Sequence, residues 1–511
     1  MSAQTLGQLV VPGRTVFQGT APHRDRLSLS PNRLARYFAS HNNSGGKTGG
    51  LCPAHPRGVP FSPCSTLSSR RRRTTSRRAE RCSDAKPRAS ARGFFAWSLA
   101  LSREESHVYD HRKLGRELGL FDTDPLIGAG LPYWLPDGAI VHHSLQEYIR
   151  TAELRAGYQH VHSPVLAKRE LYEISGHWAH YRDDMYPPMD VGDEQLVLRP
   201  SMCPHHAVIY RSRSHSYREL PLRMAELGGM YRSELSGVVG GLARVRAIQL
   251  NDAHIFCTLD QVADEAAAAL AMIRSAYHAM GISVARYRLS LPGAGGKYVA
   301  APQMWQRASK LLAEMLDRSG VVYEAVEGEA AFYGPKVDVQ VADHAGREST
   351  LSTVQVDFHQ PEQFDLHYIG PDGAKHRPVM VHRSIIGSIE RAVAQLIEQH
   401  GGAFPAWLSP LQIAILPISD TEDPIAAELR DRCRAAGLRT ELISADDGTL
   451  GARIRTHRLV PYHVIIGQAE AANGTVALRL RDGRRLSLPA DDAIARIRTL
   501  VDTNDPRLWI D

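Results

Sequence analysis

Hydrophobic residues are scattered without a period over residues 1–104 and fall into order from Asp110 onward. Leu114, Leu118 and Leu120 mark a short amphipathic helix, and Val141 to Tyr158 reads as a longer one followed by the extended HVHSPVLA. Helical spacing recurs over residues 259–281, 304–320 and 382–402, interleaved with strand-like runs in YRLSLPG, AFYGPKVDVQVAD and STVQVDFHQ. Strands in runs with helices segregated around them predict an α+β fold on an antiparallel sheet, not a doubly wound parallel one. After AFPAWLSP the pattern changes. LQIAILPI, a helix over 424–436, RTELISA, a helix over 448–459, YHVIIGQ, TVALRLR and a helix over 491–501 predict a compact α/β domain. The expected organisation is a tail over 1–104, a first domain over 105–405 and a second over 406–511.

The densest stretch lies between Arg199 and Thr258. There Leu227 to Tyr231, the polar SELSGVVGG and then LARVRAIQL read as two strands joined by a flexible loop. Arg232 before the loop and Arg244 and Arg246 after it are expected to point into a shared space. Guanidinium forks aimed at one spot suit a polyphosphate or a carboxylate, because each binds two oxygens in a plane. An arginine-laced, solvated hairpin face would give the same pattern. Cys203 and His254 flank the hairpin and His382 follows later, but such wide spacing carries little metal-motif value by itself.

Charge sharpens the division. The formal net charge of +6 conceals +15 over residues 1–103 and −9 over residues 104–511. Nucleic-acid binding by the folded part must therefore rest on a local basic face. The tail is rich in Ser, Arg, Pro and Gly and contains SSRRRRTTSRRAER, so it is expected to be disordered. Its composition is that of an organelle transit peptide, and an upstream extension of the reading frame would look similar. Six cysteines without CxxC or disulfide-like spacing favour a reducing compartment, and the expected location is cytoplasmic. No apolar run reaches the roughly 18 residues of a membrane span, so no membrane partner is expected.

The words MCP, YRxELSG, LARVR, NDAHIFCT, AFYGPKVDV, TVQVDF and VHRSIIGSIER occur in this order. They resemble the threonyl-tRNA synthetase family of class II aminoacyl-tRNA synthetases, from about Asp110 to near the C-terminus. The resemblance implies ATP-dependent activation of L-threonine, its transfer to tRNA(Thr), Mg²⁺ with the ATP, one Zn²⁺ per chain and a homodimer with a contact region around Pro164. Arg232 matches the arginine on the α-phosphate and substrate carboxylate, Glu234 the glutamate that reads the adenine amino group, and Arg391 the arginine on the γ-phosphate. Arg244, Gln355 and Ser388 fall on ATP-site positions. Attack of a carboxylate on phosphorus needs neutralised oxygens more than a base, which suits arginines and Mg²⁺.

Cys203, His254 and His382 match the family's zinc ligands, and three protein ligands leave the metal open to substrate. Threonine offers it an amino nitrogen and a β-hydroxyl, whereas valine has no second donor. Asp252 matches the aspartate that accepts from that hydroxyl. Tyr333, Lys336 and Gln355 match positions lining the substrate and the 3′ end of tRNA, and His177 matches a histidine of the transfer step. Arg455, Glu470 and Arg479 match anticodon-contacting positions, with the helix register after Arg455 in question. Residues 1–104 resemble none of the family's seryl-tRNA editing domains, so editing is expected to be absent.

The sequence also departs from the family. Leu250 replaces a glutamine, Ala247 and Ile248 replace a glycine and often an aromatic, Ser349 and Thr350 replace a Trp-Gln pair, and His205 replaces a small or apolar residue. These changes predict an active enzyme with a reshaped pocket. Two other readings stay compatible with the residues. One is a paralogue activating threonine or a related β-hydroxy amino acid for a non-tRNA acceptor or for inhibitor resistance; the other is a non-enzymatic tRNA-binding regulator.

Overall fold

A computed structural model describes residues 109–510 other than Ser236, Gly296 and His344; the tail over 1–104 and its expected disorder lie outside the described residues. Eight strands form the larger sheet: β1 Gln159–His160, β2 Leu222–Tyr231, β3 Ala247–Cys257, β4 Arg286–Leu291, β5 Tyr323–Glu327, β6 Lys336–Ala342, β7 Glu348–Asp357 and β8 Val379–Ser384. Their order is β5-β4-β6-β7-β8-β3-β2-β1. Only the edge pairs β4–β5 and β1–β2 are parallel; the rest are antiparallel, as the segregated strand runs predict.

Helices cover one face of this sheet because they carry apolar stripes of matching period. In Ile389–His400 the buried residues Ile389, Ala392, Val393, Leu396 and Ile397 follow the i, i+3, i+4 spacing. Ser388 caps that helix by accepting from the Arg391 N–H at 3.1 Å, and Gly401 ends it in the left-handed conformation at φ 57°. Helix Val262–Met280 ends the same way at Gly281, and its buried alanines bring it close to the strands. The core joins these helices to Val337, Val339, Val354, Val356 and Val381 of the sheet.

The segment 382–402 corrects the expectation of one helix. Val379–Ser384 is a strand buried along its whole length, and the helix begins only at Ile389. The turn between them requires glycine. Gly387 sits at φ +67°, and a Cβ there would lie 2.3 Å from the Leu351 carbonyl oxygen. The second strand of the hairpin also starts later than LARVRAIQL implies, at Ala247, with Leu242–Arg246 belonging to the loop.

A second sheet contains β9 Ile413–Pro417, β10 Thr440–Leu442, β11 Tyr462–Ile466, β12 Thr475–Leu480 and β13 Arg485–Pro489, in the order β10-β9-β11-β12-β13. It has its own core, including Ile413, Leu429, Tyr462, Val464, Leu478 and Ile497. Helices Asp423–Ala435 and Ala490–Asp502 match the expected spans, whereas the helix expected over 448–459 covers only Leu450–Thr456. Strand β13 and the short helix Gln468–Asn473 were not anticipated by the pattern. Among the described residues no helix is long and apolar enough to cross a membrane.

Candidate active site

Strand register brings distant residues into one row. Lys336 on β6 pairs with Gln355 on β7, Gln355 with His382 on β8, and His382 with His254 on β3. Directly paired residues of antiparallel strands project to the same face, so four segments far apart in sequence supply adjacent side chains. Alternation then puts Asp252, Thr353 and Ser384 on that face one step along. The face forms the floor of a cavity of about 440 Å³, and the loop joining β2 to β3 contributes Arg244 and Val245 to its wall.

At one end lie Cys203, His254 and His382, whose candidate ligand atoms are all within 4.8 Å of one another. All three residues are buried. The His382 Nε2 is engaged by Asp357 Oδ2 at 2.8 Å, which leaves Nδ1 for the cluster. The His254 Nδ1 is engaged by His206 Nδ1 at 2.7 Å, and its Nε2 is buried without a hydrogen-bond partner. Burial pushes the Cys203 thiol up, but His177, His254 and His382 together hold its pKa well below the usual value. A thiolate and two imidazole nitrogens converging on a shared point fit Zn²⁺, which favours sulfur and nitrogen donors in a tetrahedral set. Burial and the Cys203 sulfur raise Asp252 to about 7, and it lines the cavity beside this cluster.

Arginines occupy the other end. Arg232, Arg244 and Arg391 all line the cavity, together with Glu234 and Ser388. Arg232 makes no ion pair with any described residue. Arg391 is held by two backbone oxygens, donating from Nε to Ala243 at 3.2 Å and from Nη1 to Thr350 at 3.1 Å. Desolvation in the cavity wall, reinforced by Arg232 and Arg244, lowers its pKa. Arg246 departs from the expectation of three convergent arginines. It turns out of the cavity to donate to the backbone oxygens of Glu234 and Ala129, and so fixes the loop.

Tyr333, Lys336 and Gln355 line the middle, where the Tyr333 hydroxyl donates to Gln355 Oε1 at 2.6 Å. Lys336 Nζ donates to Asp338 at 3.0 Å. His177 also reaches the cavity, with Nδ1 at 2.9 Å from Ser175 Oγ and Nε2 at 2.9 Å from Ser201 Oγ. Of the altered positions, Ile248, Leu250 and Thr350 line the cavity, whereas His205 is buried behind it.

Residues 186–400 match the tRNA synthetase class II core domain (G, H, P, S and T), and residues 412–500 match an anticodon binding domain. The chain is similar to the RNA binding domain of threonyl-tRNA synthetase from Cryptosporidium parvum Iowa II, at 34% identity and a TM-score of 0.72, over 76% of this chain and 98% of that one. The chain belongs to the threonyl-tRNA synthetase family. A putative threonyl-tRNA synthetase from Aeropyrum pernix superposes with a TM-score of 0.69 at 25% identity, over 78% of this chain and 97% of that one. Threonine--tRNA ligase 1 of Bacillus subtilis is 49% identical over 381 residues, which is 74% of this chain and 59% of that protein. A Geobacillus threonine--tRNA ligase is 46% identical over 407 residues, 78% of this chain and 63% of that protein. The chain thus spans about three fifths of the length of these two curated relatives.

The residues matched to anticodon contacts are placed on the second sheet and its helices. Arg455 is exposed near the end of helix Leu450–Thr456, and Arg479 lies on β12, paired with His463 and Arg485. Glu470 stands in the first turn of Gln468–Asn473, where one carboxylate oxygen accepts from the Gly467 N–H at 3.0 Å. Sequence reasoning gave no role to His206, Ser201 or Asp357. An aspartate ending a strand of alternating valines, and a second histidine three residues after Cys203, were the available signals.

Proposed function

We propose that this chain activates L-threonine with ATP and transfers it to tRNA(Thr). The observation that carries the reading is the single row Lys336–Gln355–His382–His254, with a metal-type cluster at one end of its cavity and three arginines at the other. Residues 105–405 are the catalytic part in this reading and residues 406–511 the anticodon-binding part.

Arg232 neutralises the α-phosphate and orients the threonine carboxylate, Arg391 holds the γ-phosphate, and Glu234 reads the adenine amino group. Arg244, Gln355 and Ser388 complete the ATP contacts, and Mg²⁺ enters with the nucleotide. The carboxylate oxygen forms its bond to the α-phosphorus as the bond to pyrophosphate breaks, and fixed cations offset the charge that builds on the phosphoryl oxygens. Cys203, His254 and His382 would hold Zn²⁺, which would supply a Lewis-acidic centre for the substrate's amino and hydroxyl groups. Asp252 accepts from the threonine hydroxyl, and Tyr333 and Lys336 position substrate and the tRNA 3′ end. His177, held between Ser175 and Ser201, handles a proton during transfer.

Arg455, Glu470 and Arg479 contact anticodon bases, which are read in an unstacked loop by side chains of this kind. The chain acts as a homodimer, a reading supported by the exposed apolar residues Val165, Leu166, Met189 and Val191 near Pro164. Cytoplasmic location is supported by the free thiols Cys203, Cys257 and Cys433. Charging of purified tRNA(Thr) with labelled threonine tests the whole reading. Threonine activation without charging would favour the paralogue with a different acceptor.

A further inference from the structure

We propose that His206 is a positioning residue that sets the tautomer and aim of His254, and that Glu226 and Arg199 fix His206 for that task. The proposal rests on the reading that Cys203, His254 and His382 bind Zn²⁺. Cys203 and His206 are three apart on helix Cys203–Arg211 and therefore share a face. One helix face would thus supply both a metal ligand and the support of another.

The His206 and His254 rings meet Nδ1 to Nδ1 at 2.7 Å, with planes at 89°. A contact this short needs one proton between the two nitrogens, so one ring donates and the other accepts. Glu226 decides which. Its Oε2 lies 3.1 Å from His206 Nε2, and a carboxylate can only accept. The carboxylate is kept charged by Arg199 Nη2 at 3.0 Å, by the Ser163 N–H at 3.2 Å and by the Ser163 hydroxyl at 2.7 Å. A neutral His206 therefore donates from Nε2, which leaves Nδ1 to accept from the His254 Nδ1–H. His254 must then present the lone pair of Nε2 to the cluster, which is the ring nitrogen without a hydrogen-bond partner, the Asp252 carboxylate lying 3.8 Å away. Reversing the chain would put a proton on that nitrogen and block ligation.

The arrangement is sealed from water. Arg199, His206, Glu226 and His254 are each at most 1% exposed, so bulk solvent does not compete for the bonds. Even the backbone is cleared for it: a Cβ at Gly228 would lie 2.6 Å from Arg199 Nη2 and 2.9 Å from Glu226 Oε1. His205 is the internal contrast. It is the adjacent histidine and also buried, yet neither of its ring nitrogens has a partner.

The test measures zinc affinity in the full chain by competition with a chromophoric chelator, with circular dichroism to verify folding. Wild type is expected to hold one Zn²⁺ per chain. His206→Ala should weaken zinc binding about 10- to 100-fold, and His205→Ala should leave it unchanged. Glu226→Gln keeps the shape but must point an amide donor at one of its four donors. The hydroxyl of Ser163 can turn to accept and His206 can shift its proton, so the substitution favours the reversed chain. It should weaken zinc binding about tenfold and change the visible spectrum of the cobalt-substituted protein. Should His206→Ala fail to fold, Glu226→Gln decides the matter. Wild-type affinity in a folded His206→Ala or Glu226→Gln protein overturns the proposal while the metal reading stands. Absence of stoichiometric zinc from the wild type overturns both.

Discussion

Arg244 closes on Glu234, with Nη2 and Nε at 2.7 and 2.9 Å from the same carboxylate oxygen. The pair latches the two ends of the loop between β2 and β3 over the cavity, so two groups assigned to ATP are each other's partner. Half of the Arg244 side chain is exposed, and a pair of that kind contributes at most about 1 kcal/mol to stability. A charge-assisted contact to a phosphate contributes about 1.5–3 kcal/mol. Arg244→Ala should therefore raise the KM for ATP roughly 10- to 100-fold while moving the melting temperature little. Steady-state pyrophosphate exchange at varied ATP, beside a thermal melt, checks both parts.

Glu390 gives a pH dependence remote from the metal-type cluster. Its carboxylate is buried in the first turn of Ile389–His400, and burial lifts its pKa from 4.5 to about 7 despite hydrogen bonds from the backbone. The folded chain thus keeps a proton that the unfolded chain releases. The associated stability is present below pH 4.5 and is lost as pH rises to about 7, an effect on the order of 3 kcal/mol. Glu390→Gln should gain stability relative to wild type between pH 5 and pH 8. Denaturant unfolding at the two values tests this, and an unchanged difference would refute it.

Removing the metal should abolish threonine activation without unfolding the chain. The cluster is surrounded by the helix Cys203–Arg211 and the strands β3 and β8, whose packing includes Tyr210, Phe256 and Met380. In the proposed reading the metal would therefore recognise substrate and would not be the staple of an otherwise unfolded module. Cys203→Ala should contain no zinc, show no threonine-dependent exchange and retain its circular dichroism spectrum.

What the sequence could and could not disclose follows from what local pattern encodes. Helices such as Val262–Met280 were legible because their apolar spacing is local and their caps are marked by residue type. The segment around His382 was misread because Val381, Ile385, Ile386 and Ile389 fall at helix-like intervals, although burial on both faces makes Val379–Ser384 a central strand. The row Lys336–Gln355–His382–His254 depends on register between strands distant in sequence, which no spacing rule contains. Lys336 and Gln355 were reached only through resemblance, which also gave His254 and His382 their weight. Arg246 was misassigned because spacing shows that an arginine is near the loop but not that backbone oxygens of Glu234 and Ala129 claim it.

Serine should be activated as well as threonine. It carries the same amino and hydroxyl donors, so only contacts to one methyl group separate them, a difference of about 1–3 kcal/mol or roughly 10- to 200-fold in kcat/KM. Exchange kinetics with the two amino acids measure this ratio in the activation step alone. Discrimination far above a few hundredfold would assign the altered cavity wall at Leu250 and Thr350 a part in rejecting serine.

The most direct test of the account is amino-acid-dependent exchange of labelled pyrophosphate into ATP by the zinc-loaded full chain. Threonine should drive rapid exchange and valine should not, and Arg391→Ala should lower the threonine rate by about 10²–10³-fold. A folded, zinc-loaded protein that binds ATP yet shows no exchange with threonine would contradict the proposed function.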